Sequence, residues 1–199
     1  MEAPYRADNL IAAPLEHYMG MLKEADPMEI AERTGLKYED GKFTLEFLNM
    51  VRPITFPDFS DECWDDKGRI LFGRFLLEGH RAGAYHDFVP YRELKWGETY
   101  NEPFTNRCIN RMSGTYGWRP EVFRKACEGL GGVPFQSSGI GYEFRFMPEL
   151  YIRFILWEGD EEFPAAAQIL FSDNFDNAFS GEDRVYCCEQ ILGNMKRYH

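Results

Sequence analysis

The chain has 199 residues, of which 44% are hydrophobic and 16% aromatic, and carries a formal net charge of -11. A chain of that length buries roughly 70% of its unfolded surface and needs no disulfide or metal to fold, while 17 Phe and 11 Tyr argue against intrinsic disorder. The excess of 33 acids over 22 bases repels phosphate backbones and anionic headgroups, which argues against nucleic acid and membrane as partners.

In chain order, the spacing of Leu15, Met19 and Leu22 predicts a helix from Pro14 to about Asp26. A second follows at once: Asp26 can cap it, Pro27 suits the first helical position, Glu29 supplies the reach-back carboxylate of a capping box, and Gly35 stops it. Strands are expected at 36–39 and 42–48 around the turn dipeptide Asp40-Gly41, with Phe43, Leu45 and Phe47 on the buried face. A third is expected at 51–56, where Pro53 favours an edge. After the polar stretch DFSDECWDDKG comes an apolar helix over about 69–78.

Residues 79–104 read as irregular, with a short strand near Phe88. Helices are then expected from about Pro103 to Met112 and from Pro120 to Leu130, where Gly131-Gly132 ends the second. Strands follow at 142–147, 150–157 and 165–171, then a last helix from Gly181 to about Lys196 with a capping box from Ser180 and Asp183.

Helix, three strands, helix thus occurs twice, over 27–78 and 120–196, and PMEIAERTG matches PEVFRKACEG in outline. The pattern predicts an internal duplication with a separation of about 93 positions. The expected class is α+β: a single compact domain over 1–199 built from two α-β-β-β-α halves, mainly antiparallel sheet with helices packed on it. A cleft between such halves is the default ligand site.

No stretch approaches the ~20 apolar residues of a membrane span, and MEAPYRADNL lacks the basic flank and apolar centre of a signal peptide, so a cytoplasmic location is expected. Five cysteines, at 63, 108, 127, 187 and 188, form no C-x-x-C pair and read as reduced thiols. Cys108, Cys127 and Cys188 lie on apolar helical stripes, where free cysteine behaves as a small hydrophobe.

The densest chemistry is in LWEGDEEFPAAAQILF, where Glu158, Asp160, Glu161 and Glu162 fall between an apolar strand and a Phe-Pro break. Paired carboxylates suit acid–base work and oxygen clusters suit calcium or magnesium, but a charged strand–strand loop is more often a solvated turn. Trp157 and Phe163 bracket the acids, and two large aromatics are more than a plain turn needs. A calcium loop starting at Asp173 fails, with Phe175 at its third position and Ala178 at its sixth. His80 and His86 lack a third ligand nearby, and no metal is assigned.

PMEIAERTG, GRILFGRFLLEG, FVPYREL followed by TYNEPF, and above all LWEGDEEFPAAAQILF resemble the bacterial and archaeal family called domain of unknown function 3786. The positions matching its motifs are Tyr91, Arg92, Glu93, Leu94, Tyr100 and Phe104, then Trp157 to Pro164. The resemblance implies an uncharacterised protein of anaerobes. It also implies an iron–sulfur or corrinoid association which, since this chain has no cysteine-rich addition and no cofactor is expected in it, comes only through a partner or does not apply at all.

Residues and resemblance together lead to an expected binding or accessory protein, holding a small-molecule ligand or a redox-protein partner in the cleft. Arg92, Glu93, Tyr100, Trp157, Glu158, Asp160, Glu162 and Phe163 are its candidate ligand-binding residues. Arg92 suits bidentate capture of an anion or a pairing with one of the acids. The alternative is a metal-assisted or acid–base hydrolase using the 158–162 loop. The sequence leaves the catalytic residues and the oligomeric state unassigned.

Overall fold

The computed structural model describes residues 9–199, with side chains from Ile11 onward. Contacts divide the chain into two units: one of the residues up to Leu45 with Val51–Arg81, the other of Glu46–Met50 with Ala82–His199.

The first unit carries helices α1 (Asn9–Glu24), α2 (Pro27–Thr34) and α3 (Asp66–Glu78) and most of a three-stranded sheet of β1 (Lys37–Glu39), β2 (Lys42–Phe47) and β3 (Met50–Thr55), in the order β1-β2-β3, whose residues Glu46, Phe47 and Met50 count with the second unit. Helix α1 begins five residues before Pro14, which therefore sits inside it and forfeits one backbone hydrogen bond. Packing outweighs that loss: α1 lies along α3, Leu22 is fully buried, and the Met19 methyl is 3.1 Å from where a Cβ on Gly73 would stand. Asp26 caps α2 by accepting from the Met28 N–H at 2.8 Å. Gly35 ends that helix in the left-handed region at φ 73°.

The hairpin turn is as its dipeptide predicts, with Asp40 at φ 49° and Gly41 at 75°. Phe43, Leu45 and Phe47 are fully buried while Lys42, Thr44 and Glu46 face out. Pro53 falls on the edge strand β3. Acids of the following polar loop serve turns and caps: Asp61 accepts from the Thr55 N–H (2.6 Å) and hydroxyl (3.0 Å), and Asp65 caps α3 through the Gly68 N–H (2.7 Å).

The second unit is built on a five-stranded antiparallel sheet of β4 (Phe88–Pro90), β5 (Val133–Phe135), β6 (Ile140–Met147), β7 (Leu150–Trp157) and β8 (Ala166–Ser172), in the order β4-β8-β7-β6-β5. Tyr142, Phe144 and Phe146 of β6, Ile152, Phe154 and Leu156 of β7, and Ile169 and Phe171 of β8 form one face, each at most 2% exposed. Its helices are α4 (Gly97–Phe104), α5 (Asn110–Tyr116), α6 (Pro120–Gly129), α7 (Phe175–Ala178) and α8 (Gly181–Met195). Glu46–Met50 join this unit through the Leu48 N–H, which donates to the Phe146 carbonyl at 3.1 Å, and through a Glu46–Arg145 ion pair at 2.9 Å.

Further elements differ from expectation. The helix expected over 103–112 is the middle of a longer run, in which α4 and α5 are joined by a π-helical segment, Thr105–Ile109, just after Pro103. Proline cannot donate and its ring crowds the carbonyl four residues back, and a widened turn accommodates such a break. Strand β5 and helix α7, of 3 and 4 residues, are too short to show a periodicity. At α8, the Ser180 hydroxyl donates to the Asp183 carboxylate at 3.2 Å and makes no capping bond to the backbone.

The molecule is α+β, and helix, antiparallel meander, helix recurs over 27–78 and 120–196. The likeness is one of element order: the second stretch adds β5 and α7, and its meander strands have 8, 8 and 7 residues against 3, 6 and 6 in the first.

Candidate functional site

The acidic run forms the loop between β7 and β8, entered from Trp157, which pairs with Ala166 across the loop's base. Asp160 organises it. Its Oδ1 accepts from the Glu162 N–H (2.9 Å) and the Phe163 N–H (2.7 Å), while its own N–H donates to the Phe163 carbonyl at 2.9 Å. This is an Asx turn, the local chemistry for which aspartate is chosen in tight loops.

The loop is anchored to the junction of α5 and α6. The Gly159 N–H donates to the Gly117 carbonyl at 3.1 Å. A Cβ on Gly159 would stand 2.7 Å from Cζ2 of Trp118 and 2.9 Å from the Ala165 nitrogen, and one on Gly117 would overlap the Ala165 methyl. Only two bare backbones allow so close an approach. The result is a platform bearing two large exposed rings, Trp118 and Phe163, each 66% exposed. The side chains of Glu158, Glu161 and Glu162 stand out from it, exposed, their carboxylates without a hydrogen-bond or ion-pair partner among the described residues.

The other nominated residues lie elsewhere in the same unit. Arg92 and Glu93 are exposed on the 3-10 turn Tyr91–Glu93 that follows β4. Arg92 has no partner among the described residues, so the pairing expected with the acidic loop is not made. Tyr100, half-buried on α4, lies against Gly181, where an added Cβ would be 2.9 Å from its ring. Trp157 is half-buried beside Gly139, 3.1 Å from where a Cβ there would stand. The structure thus brings Trp157, Glu158, Asp160, Glu162 and Phe163 together and leaves Arg92, Glu93 and Tyr100 as a separate group.

That second group rests on a buried charge. Arg184 of α8 is fully buried, donates to the Asp176 carboxylate and to the Lys95 carbonyl, and sits 5.3 Å over the ring of Tyr91. Asp176 also accepts from the Lys95 N–H at 2.9 Å. Tyr91 stacks on Phe104 at 4.2 Å and donates its hydroxyl to the Gly181 carbonyl at 2.9 Å. Its phenol is pushed well above the ordinary tyrosine range by burial, against the opposing pull of Arg184.

Other candidates are inert or shallow. Cys108, Cys127, Cys187 and Cys188 are buried and only Cys63 is exposed. Burial pushes the thiols of Cys127, Cys187 and Cys188 up, away from the reactive thiolate. His86 lies 3.9 Å from Asp173 on the surface. Among the described residues no three His, Cys, Asp or Glu side chains converge as a metal-holding group. An open groove of about 560 Å³ is lined by Glu121, Arg124, Lys125, Glu128, Gly129 and Tyr198. Its charges are engaged in part: Arg124 faces Glu121 at 3.5 Å, and Glu128 accepts from the Tyr142 hydroxyl at 2.7 Å.

Sequence reasoning missed Trp118 and Arg184. Trp118 had a signal, an aromatic in the turn Gly-Trp-Arg-Pro with no apolar stripe to claim it. Arg184 had none, since an arginine in the first turn of a helix reads as a surface residue.

Fold and site together define an α+β protein that presents an aromatic and acidic loop on a rigid base. The chain belongs to the family described as domain of unknown function (DUF3786), whose model matches residues 26–194. No curated protein and no solved structure matches it.

Proposed function

We propose that the chain is a binding or accessory protein and that it meets a protein partner through the β7–β8 loop. The observation that carries this reading is the pair Trp118 and Phe163, two large rings held two-thirds exposed on a backbone that two glycines lock in place. Exposed aromatics on a preorganised support are the anchors on which protein interfaces concentrate their energy. A redox protein, the partner class that the family resemblance implies, falls within this proposal, and any iron–sulfur or corrinoid group would then be the partner's.

The hydrolase alternative draws less support from the same loop. Acid–base catalysis needs two carboxylates placed in different environments, whereas Glu158, Glu161 and Glu162 are all exposed and Asp160 is spent on the turn. The metal-assisted form needs three converging ligands, and no such group forms among the described residues.

The test is cross-linking in extract of the source organism, comparing the full chain with the double variant Trp118→Ala/Phe163→Ala. A partner cross-linked at residues 158–163 by the native chain, and lost from the variant, supports the reading. An unchanged cross-link profile overturns it.

A further inference from the structure

We infer that the surface around Trp118 takes a cationic partner segment, a stretch of arginine or lysine side chains whose charged groups lie over the indole and among the loop carboxylates. The inference rests on the binding function proposed above and names the chemistry of its partner. Three independent features of the surface lead to it.

The first is the unspent charge beside the apolar anchors. Asp160 is consumed by the turn, but Glu158, Glu161 and Glu162 have no cation of their own among the described residues. The neighbouring cation, Arg119, forms no ion pair with them: its Nε and Nη2 both donate to the Thr115 carbonyl, at 3.1 and 2.6 Å, which holds the guanidinium on its own helix end. A partner that covered Trp118 and Phe163 with apolar or anionic groups would strand these carboxylates against an uncompensated surface.

The second is the type of ring. Tryptophan offers the strongest π-face for a cation, and Trp118 is exposed where most of the large aromatics of the chain are buried. The third is long-range: a net charge of -11 draws a cationic segment towards the protein and repels an acidic one. Because Gly117 and Gly159 set the loop against Trp118 in advance, ring and carboxylates need no rearrangement on binding.

The experiment uses the full chain labelled with ¹⁵N at its 4 tryptophans, with the Trp118 indole signal assigned through Trp118→Phe. The probes are two peptides of equal length, one alternating arginine with glycine and the other glutamate with glycine. Expected is a saturable shift of the Trp118 signal with the arginine peptide and none with the glutamate peptide. The triple variant Glu158→Gln/Glu161→Gln/Glu162→Gln should bind the arginine peptide at least about tenfold more weakly, and raised salt should weaken the native chain likewise.

These three carboxylates make no internal contacts, so the variant should keep the native melting temperature and its failure to bind will report on charge alone. A Trp118 signal that ignores the arginine peptide, or binding unchanged in the triple variant, overturns the inference. If that happens while the cross-linked partner still depends on Trp118 and Phe163, the binding function stands and only the cationic chemistry falls. If the cross-link never depended on those rings, the binding function itself falls.

Discussion

Arg184 ties α8 to Asp176 of α7 and to the Lys95 carbonyl. The fully buried guanidinium donates to the carboxylate of Asp176, which also accepts from the Lys95 N–H. Replacing Asp176 by Ala leaves a buried cation uncompensated, a change that costs about 3–5 kcal/mol and is read from urea unfolding. The partial exposure of Asp176, whose side chain is 30% exposed, places the result at the lower end of that range. The thiols make a second expectation at this scale. Of five cysteines only Cys63 is exposed, so a thiol reagent should modify one site in the native protein and all five after denaturation. Rapid native labelling of Cys127, Cys187 or Cys188 would contradict their burial.

Several elements of this fold meet at glycines. Gly117 and Gly159 bring the β7–β8 loop onto the α5–α6 junction, and Gly97 lets the start of α4 approach the backbone of Tyr91 and Arg92. Gly97→Ala and Gly117→Ala should each destabilise by about 1–3 kcal/mol, the usual cost of forcing atoms into a packed contact. Gly117→Ala should in addition displace the loop, seen as a changed Trp118 fluorescence maximum. Gly114, which has open space around its missing Cβ, is the control: Gly114→Ala, within α5, should be neutral or slightly stabilising. The sheets show a complementary economy at their edges. Pro90 on β4, Pro134 on β5 and Pro53 on β3 all lie on edge strands, where proline withholds a donor from any strand that would add on.

For the molecule as a whole, stability should fall at high pH. Burial, with a smaller push from the nearby Cys127 thiol, raises the Tyr116 phenol from 10.0 to about 12. Burial and the Glu128 carboxylate that its hydroxyl contacts raise Tyr142 to about 12 as well. Both groups hold their protons more tightly folded than unfolded. Their contribution is therefore complete below pH 10 and lost as the pH climbs through the folded values near 12. Alkaline unfolding followed by circular dichroism should show this loss between about pH 10 and 12. Phenolate absorbance should show the two groups titrating late, and Tyr142→Phe should flatten its share of the pH dependence.

How much of this was legible beforehand follows from the range of the forces involved. Strand alternation at Phe43, Leu45 and Phe47, the Asp40-Gly41 turn, the Asp26 cap and the three apolar strands, expected at 142–147, 150–157 and 165–171 and found at 140–147, 150–157 and 166–172, are local. Each is set by steric and solvation preferences acting over a few residues, so the sequence by itself determined them, together with the α+β class. The acidic loop was legible too, as a strand–turn–strand with aromatics at its borders. What only the tertiary structure decided is what comes from far along the chain to meet it. Trp118, some forty positions before the loop, becomes part of its surface through Gly117 and Gly159. Arg184 becomes a buried ion because Asp176 and the Lys95 carbonyl close around it, and Arg92 is left apart from the acids it was expected to meet. Charge and aromaticity are written in the sequence, but whether they are exposed, paired or joined depends on which distant backbones approach, and that is a property of packing.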